Sequence, residues 1–195
     1  MVKLPERTLF VTITENNIIG LDAVDGILLW SYPQTNQYSV HANTPIYSKG
    51  YLYCFSGYGR GGVKLKLSPD GSSVTKVWTN GSMDSRIGGA VMDNGFIYGS
   101  GDQNRAWQCI DWETGKMKYS SVEIGKGSVI GADGKLFCYS EQGELALMKP
   151  LMEEFEVHGR VKVTLGSGTH WAHPVINEGK LYIRHGSALV AYKIK

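Results

Sequence analysis

Asn94-Gly95-Phe96-Ile97-Tyr98 reads as a tight turn that launches a strand, and the chain repeats that reading three more times. The other copies are Lys49-Gly50-Tyr51-Leu52-Tyr53, Asp133-Gly134-Lys135-Leu136-Phe137 and Glu178-Gly179-Lys180-Leu181-Tyr182. A residue pair ending in glycine suits a turn that needs positive φ. The residues after it alternate between two chemical characters, as a strand with two unlike faces must. The glycines at 50, 95, 134 and 179 are 45, 39 and 45 residues apart. A period near 40–45 residues made only of strands is the mark of radially repeated four-stranded sheets.

Outward from these hairpins the pattern continues on both sides. Before each one lies a short apolar run, Thr44–Tyr47, Gly89–Met92, Ser128–Ile130 and His173–Ile176, which predicts the first strand of each sheet. Further along comes a second turn. Leu21-Asp22-Ala23-Val24-Asp25-Gly26 precedes Trp30, Ile110-Asp111-Trp112-Glu113-Thr114-Gly115 precedes Tyr119, and Leu67-Ser68-Pro69-Asp70-Gly71 precedes Trp78 as a looser copy. There the aspartate is placed to bond nearby amides and the glycine to take the left-handed position. The aromatic beyond it is predicted to pack between neighbouring sheets. The copy from Leu145 to Val157 has lost both Asp and Gly.

This motif, Leu-Asp-Ala-x-Asp-Gly followed by Trp30, resembles the repeat of PQQ-like propellers, the family that includes quinoprotein dehydrogenases and BamB-like outer-membrane assembly proteins. The resemblance implies an all-β fold, a β-propeller of four-stranded antiparallel blades, with about 4.5–5 blades present. The expected blades are 1–35, 40–80, 86–124, 125–165 and 169–195, in one partial propeller. The first and last are expected to be incomplete, with three strands each: Thr8–Thr14, Ile18–Asp22 and Ile27–Tyr32 at the start, His173–Ile176, Lys180–Arg184 and Ala188–Lys193 at the end. Family members carry more blades, so the expectation is a C-terminal piece of a larger propeller; the alternative is a small complete five-bladed one. Exposed blade edges then invite self-association.

Composition narrows the function. Hydrophobic residues make up 42% and charged residues 19%, the balance of a globular chain. A net charge of +2 gives no footprint for nucleic acid. No apolar run approaches the roughly 18 residues of a membrane helix, and residues 1–7 have no signal-peptide core. The three cysteines, Cys54, Cys109 and Cys138, sit in apolar runs without metal spacing and read as core thiols.

Repeat positions align candidate site residues. Nine residues before each hairpin glycine stand His41, Arg86, Gly125 and His170; two further on, Asn43, Gly88, Gly127 and Ala172; one more, Thr44, Gly89, Ser128 and His173. Equivalent positions share a ring in such a fold, so His41, Asn43, Arg86, His170, Trp171 and His173 are the expected channel-mouth ligand group, suited to an anion, a carboxylate or a metal. His170 and His173 are three apart, an odd separation that points them to opposite faces. Loop contacts are expected from Tyr58, Arg60, Arg105 and His185. Gly57–Gly62 lacks the helix and the Lys-Ser/Thr of a phosphate loop and reads as a loop between strands. The same residues also fit local capping of each blade.

No catalytic residues and no metal ligands are assigned. Quinoprotein dehydrogenases stack their cofactor against a disulfide of adjacent cysteines, which this sequence lacks, and of the aligned mouth positions only Asn43 suits calcium. The expected function is therefore a non-catalytic binding or scaffold propeller with a protein or glycan partner and no cofactor; the family resemblance implies the periplasm or cell envelope of a bacterium. The alternative is a relative of the PQQ- and calcium-dependent dehydrogenases.

Overall fold

The computed structural model describes all residues from Met1 to Lys195. It contains strands, turns and bends and no helix. Nineteen strands form five antiparallel sheets. The first is β1 (Val2–Lys3), β2 (Thr8–Ile13), β3 (Asn17–Asp22) and β4 (Leu28–Pro33). The second is β5 (Ile46–Ser48), β6 (Tyr51–Ser56), β7 (Gly61–Leu67) and β8 (Val74–Asn80). The third is β9 (Ala90–Asp93), β10 (Phe96–Ser100), β11 (Trp107–Asp111) and β12 (Met117–Ser121). The fourth is β13 (Gly127–Ala132), β14 (Lys135–Ser140), β15 (Glu144–Pro150) and β16 (Phe155–Lys162). The last has three strands, β17 (Val175–Asn177), β18 (Lys180–His185) and β19 (Ala188–Lys193). Within every sheet the strands follow chain order, so each is a simple meander.

One strand is not foreseen by the sequence pattern. β1 pairs Val2 with Leu9 and Lys3 with Thr8, which gives the first sheet four strands where three are expected. Two residues are too few for any periodicity to register.

The hairpin turns have the geometry their sequences predict. Lys49 and Gly50 have φ of 47° and 85°, Asn94 and Gly95 47° and 81°, Asp133 and Gly134 51° and 67°, and Glu178 and Gly179 47° and 71°. Positive φ at both central residues is the type I′ turn, whose twist matches the strands it joins. At the second turn, the Asp22 carboxylate accepts from the Val24 amide at 2.9 Å and that of Asp111 from the Thr114 amide at 2.8 Å. In the looser copy Ser68 takes the aspartate's place, its Oγ accepting from the Ser73 amide at 3.0 Å.

Each four-stranded sheet also carries a bulge between its third and fourth strands. The register shifts at Gly20/Leu21, Lys64/Leu65, Cys109/Ile110 and Leu147/Met148. The extra residue bends the strand and re-aims the side chains beyond it. It places Trp30 opposite Gly20, Trp78 opposite Lys64 and Tyr119 opposite Cys109. In the fourth sheet Gly159 stands there instead, opposite Leu147.

The chain divides into two compact units, Met1–Arg86 and Ile87–Lys195. In the first, Leu9, Ile18 and Trp30 of one sheet pack on Leu52, Cys54, Val63 and Leu65 of the next. Buried Gln34 adds a polar tie, its amide donating to the Gly61 carbonyl at 3.3 Å. In the second unit, Trp107, Cys109 and Tyr119 meet Val129, Cys138, Met148 and Phe155. Tyr139 and Leu145 then meet Leu181 and Ile183 of the last sheet. These layers bury the apolar faces that no single sheet could hide. The three cysteines are free and buried, and burial pushes each thiol above its ordinary range.

Candidate binding site

In the first unit the loop Gly57–Arg60 joins β6 to β7, as the sequence predicts. Tyr58 holds φ at 63°, flanked by Gly59 at 76° and Gly61 at 68°. A bulky residue in the left-handed region is uncommon and marks a conformation fixed by its surroundings. Two fixings are visible. The Gly59 amide donates to buried Asp84 at 2.9 Å. A Cβ on Gly57 would lie 2.8 Å from the Arg86 Cα, so only glycine admits this approach.

The Tyr58 ring meets two neighbours. Tyr38 lies against it at 4.5 Å between centroids, tilted by 59°, and the Arg86 guanidinium stands 6.0 Å from the ring centre. Tyr38 is 60% exposed, yet its loop is organised. The Asn36 side-chain oxygen Oδ1 accepts from the Tyr38 amide at 3.0 Å, and its Nδ2 donates to the Val40 carbonyl at 2.6 Å. Close by, His41 Nε2 donates to the Glu15 carbonyl at 3.0 Å, and its buried Nδ1 has no hydrogen-bond partner. Burial, with Arg60 adding to it and the Glu15 bond opposing, lowers the proton affinity of His41. Asn43 is buried and donates to the Ser85 carbonyl at 2.6 Å, so it braces the segment that carries Arg86. Two tyrosines, two arginines and an imidazole acceptor thus occupy one region of this unit.

The remaining candidates lie in the second unit. His170 stacks on His185, centroids 3.6 Å apart and planes 20° from parallel, and its Nδ1 lies 2.5 Å from the Tyr139 hydroxyl. Burial, then His185 and Lys162, lower the proton affinity of His170. His185 is buried at the end of β18, with Nδ1 2.9 Å from the Leu165 carbonyl and Nε2 3.0 Å from that of Gly168. Its ring therefore braces the loop that precedes the last sheet. His173 reaches the Ile87 carbonyl through Nε2 at 2.6 Å, so the two histidines of the His170–His173 pair engage different partners. The expected strand over 173–176 begins at Val175, after Pro174. Trp171 is 48% exposed. Arg105 is exposed, with φ of 54° in the loop between β10 and β11.

Tyr38, Asp84 and Tyr139 are not singled out by the sequence. Tyr38 lies between blades, where the repeat offers no alignment. Alternation along β14 marks Tyr139 only as a strand residue.

Five meandering sheets of three or four strands, repeating one turn and one bulge, define a β-propeller protein. The chain belongs to the family of the outer membrane protein assembly factor BamB, whose sequence profile matches residues 3–151. A search of curated protein sequences gives no match. Among solved structures, BamB from Moraxella catarrhalis superposes with a TM-score of 0.68 at 13% identity, over 98% of this chain and 55% of that one. The computationally designed protein Ika8 gives 0.65 at 9% identity, over 94% and 57%. A proposed 6-phosphogluconolactonase from Bacteroides fragilis gives 0.68 at 10% identity, over 99% and 65%. At these identities the likeness is one of fold. The chain spans between 55% and 65% of the length of these three proteins.

Proposed function

We propose that the chain is a non-catalytic scaffold propeller of the bacterial cell envelope that docks a protein partner, in keeping with the outer membrane protein assembly role that its family name carries. It works as part of one propeller, with blades at 1–35, 40–80, 86–124, 125–165 and 169–195. The observation that carries the docking site is the Tyr38–Tyr58–Arg86 contact set, with His41 and Arg60 beside it. Tyrosine and arginine on a rigid support dominate protein interfaces, because they bring large contact area for little lost conformational entropy. The two guanidinium groups favour a partner that presents a carboxylate next to an apolar or aromatic side chain. His170, Trp171 and His173, with Arg105 as a loop contact, form a secondary contact region in this reading. His185 contributes by holding the 165–168 loop in place.

The test is site-specific photo-cross-linking in the native host. A benzophenone amino acid at Tyr38 is expected to give one discrete adduct with an envelope protein. The same probe at Val24, which is 92% exposed, is expected to give none. Arg86→Ala should weaken the captured complex at least roughly tenfold, about 1.4 kcal/mol. No adduct at Tyr38, equal adducts at both positions, or adducts only with glycan would count against protein docking there.

A further inference from the structure

On one face of each four-stranded sheet, a residue of the last strand closes a cross-strand row. In the third sheet the row is Tyr98, Cys109 and Tyr119, each opposite the next. The Tyr119 ring sits between this sheet and the fourth. It meets Phe155 edge-on at 4.8 Å between centroids, and its hydroxyl donates to the Leu151 carbonyl at 2.8 Å. Trp30 fills the same place between the first two sheets and is 7% exposed.

The fourth sheet has the row without the ring. Phe137 stands opposite Leu147, and Leu147 opposite Gly159. A Cβ at Gly159 would have no atom within 4 Å. Between this sheet and the last lies a cavity of about 420 Å3, lined among others by Phe137, Leu147, Ile176, Ile194 and Lys195. Phe137 and Leu147 are the counterparts of Tyr98 and Cys109. Lys195 is the counterpart of Leu151, because Leu136 pairs with Met148 and Leu181 with Tyr192, and Leu151 and Lys195 each follow three residues on. The groups that hold the Tyr119 ring in one interface thus have their counterparts around open space in the next. The last sheet has three strands, so no counterpart of Phe155 closes that space from outside.

The rim sets the charge of a guest. The amines of Lys135 and Lys195 stand with the carboxylate of Asp133 and the α-carboxylate of Lys195, the last residue. Lys195 Nζ pairs with Asp133 at 2.6 Å. The rim is balanced, so a charged guest would bring an ion with no partner left for it, and a neutral one would not. The repeat sets the shape: an aromatic ring whose donor reaches the backbone oxygen at the position of Leu151. The volume falls within the roughly 300–1,000 Å3 of small-molecule sites and admits two fused rings. We propose that this cavity binds a neutral aromatic alcohol. Its ring packs on Phe137 and Leu147 as Tyr119 packs one interface earlier, and its hydroxyl donates to a backbone oxygen of Lys195. The site is separate from the Tyr58 platform and does not depend on it.

Fluorescence titration of the whole chain with 2-naphthol tests the assignment. Saturable one-to-one binding is expected. Gly159→Tyr, which restores the missing ring, should abolish binding while the melting temperature holds or rises. Gly159 is exposed and outside the left-handed region, so a side chain is tolerated there. Gly159→Ala, which adds only a methyl group, should bind as the parent chain does. Naphthalene, which lacks the donor, should bind roughly two- to tenfold more weakly, the worth of one hydrogen bond. 2-Naphthoate, which adds a negative charge to a balanced rim, should also bind more weakly than 2-naphthol. Absence of saturation, undiminished binding to Gly159→Tyr, or naphthalene or 2-naphthoate binding as tightly as 2-naphthol would overturn the proposal.

Discussion

Tyr58 holds a left-handed backbone, a conformation that costs a non-glycine residue on the order of 1–3 kcal/mol. Asp84 holds the adjoining amide, and the aromatic and guanidinium neighbours fix where the ring stands. The histidines carry a different message. Burial keeps both His41 and His170 below the ordinary value of 6.5. For a base, a lowered folded-state affinity means that the unfolded chain takes up more protons as pH falls through that range. The stability these groups contribute is therefore intact above pH 6.5 and declines as the pH drops below it. Urea melts from pH 8 to pH 5 should show this decline, and His41→Gln with His170→Gln should flatten it. At this scale the sequence is partly legible. His41, Arg86, Tyr58 and His170 stand out by repeat position or loop chemistry. Their partners Asp84 and Tyr38 do not, because contacts between segments without a shared repeat position leave no local trace.

The hairpin is the element that makes the fold readable. An Xaa-Gly pair with an alternating strand behind it specifies a type I′ turn on local sterics alone, and all four copies take that form. Lys49 and Glu178 occupy the first left-handed position with side chains poorly suited to it, whereas Asn94 and Asp133 suit it well. Lys49→Asn and Glu178→Asn should each stabilise the chain by about 0.5 kcal/mol, read as a rise in denaturation midpoint at constant slope. The bulge before the second turn is invisible in sequence. It is a mismatch in pairing, and a one-residue offset emerges only when both strands are seen. Yet it sets Trp30, Trp78 and Tyr119 opposite the third strand. β1 escapes notice for a simpler reason: two residues carry no period.

At the scale of the molecule, neighbouring sheets within each unit bury faces that neither could cover alone, and the last sheet has no strand beside β19. That strand is Ala188-Leu189-Val190-Ala191-Tyr192-Lys193, with one charge at its end and Leu189 69% exposed. An edge with so little charge is open to pairing with another chain. Sedimentation equilibrium should show mass rising with concentration, and Leu189→Lys with Ala191→Lys should return the chain to monomer. The propeller class is legible because the repeat advertises it. The partner is not, since a docking surface is built from loops that the repeat does not constrain. Hydrogen–deuterium exchange of the chain alone and in complex with the envelope protein cross-linked through Tyr38 measures that surface directly. Slowed exchange concentrated in residues 36–41, 57–60 and 84–86 is the predicted result. Unchanged exchange there, with protection confined to the last sheet, would contradict it.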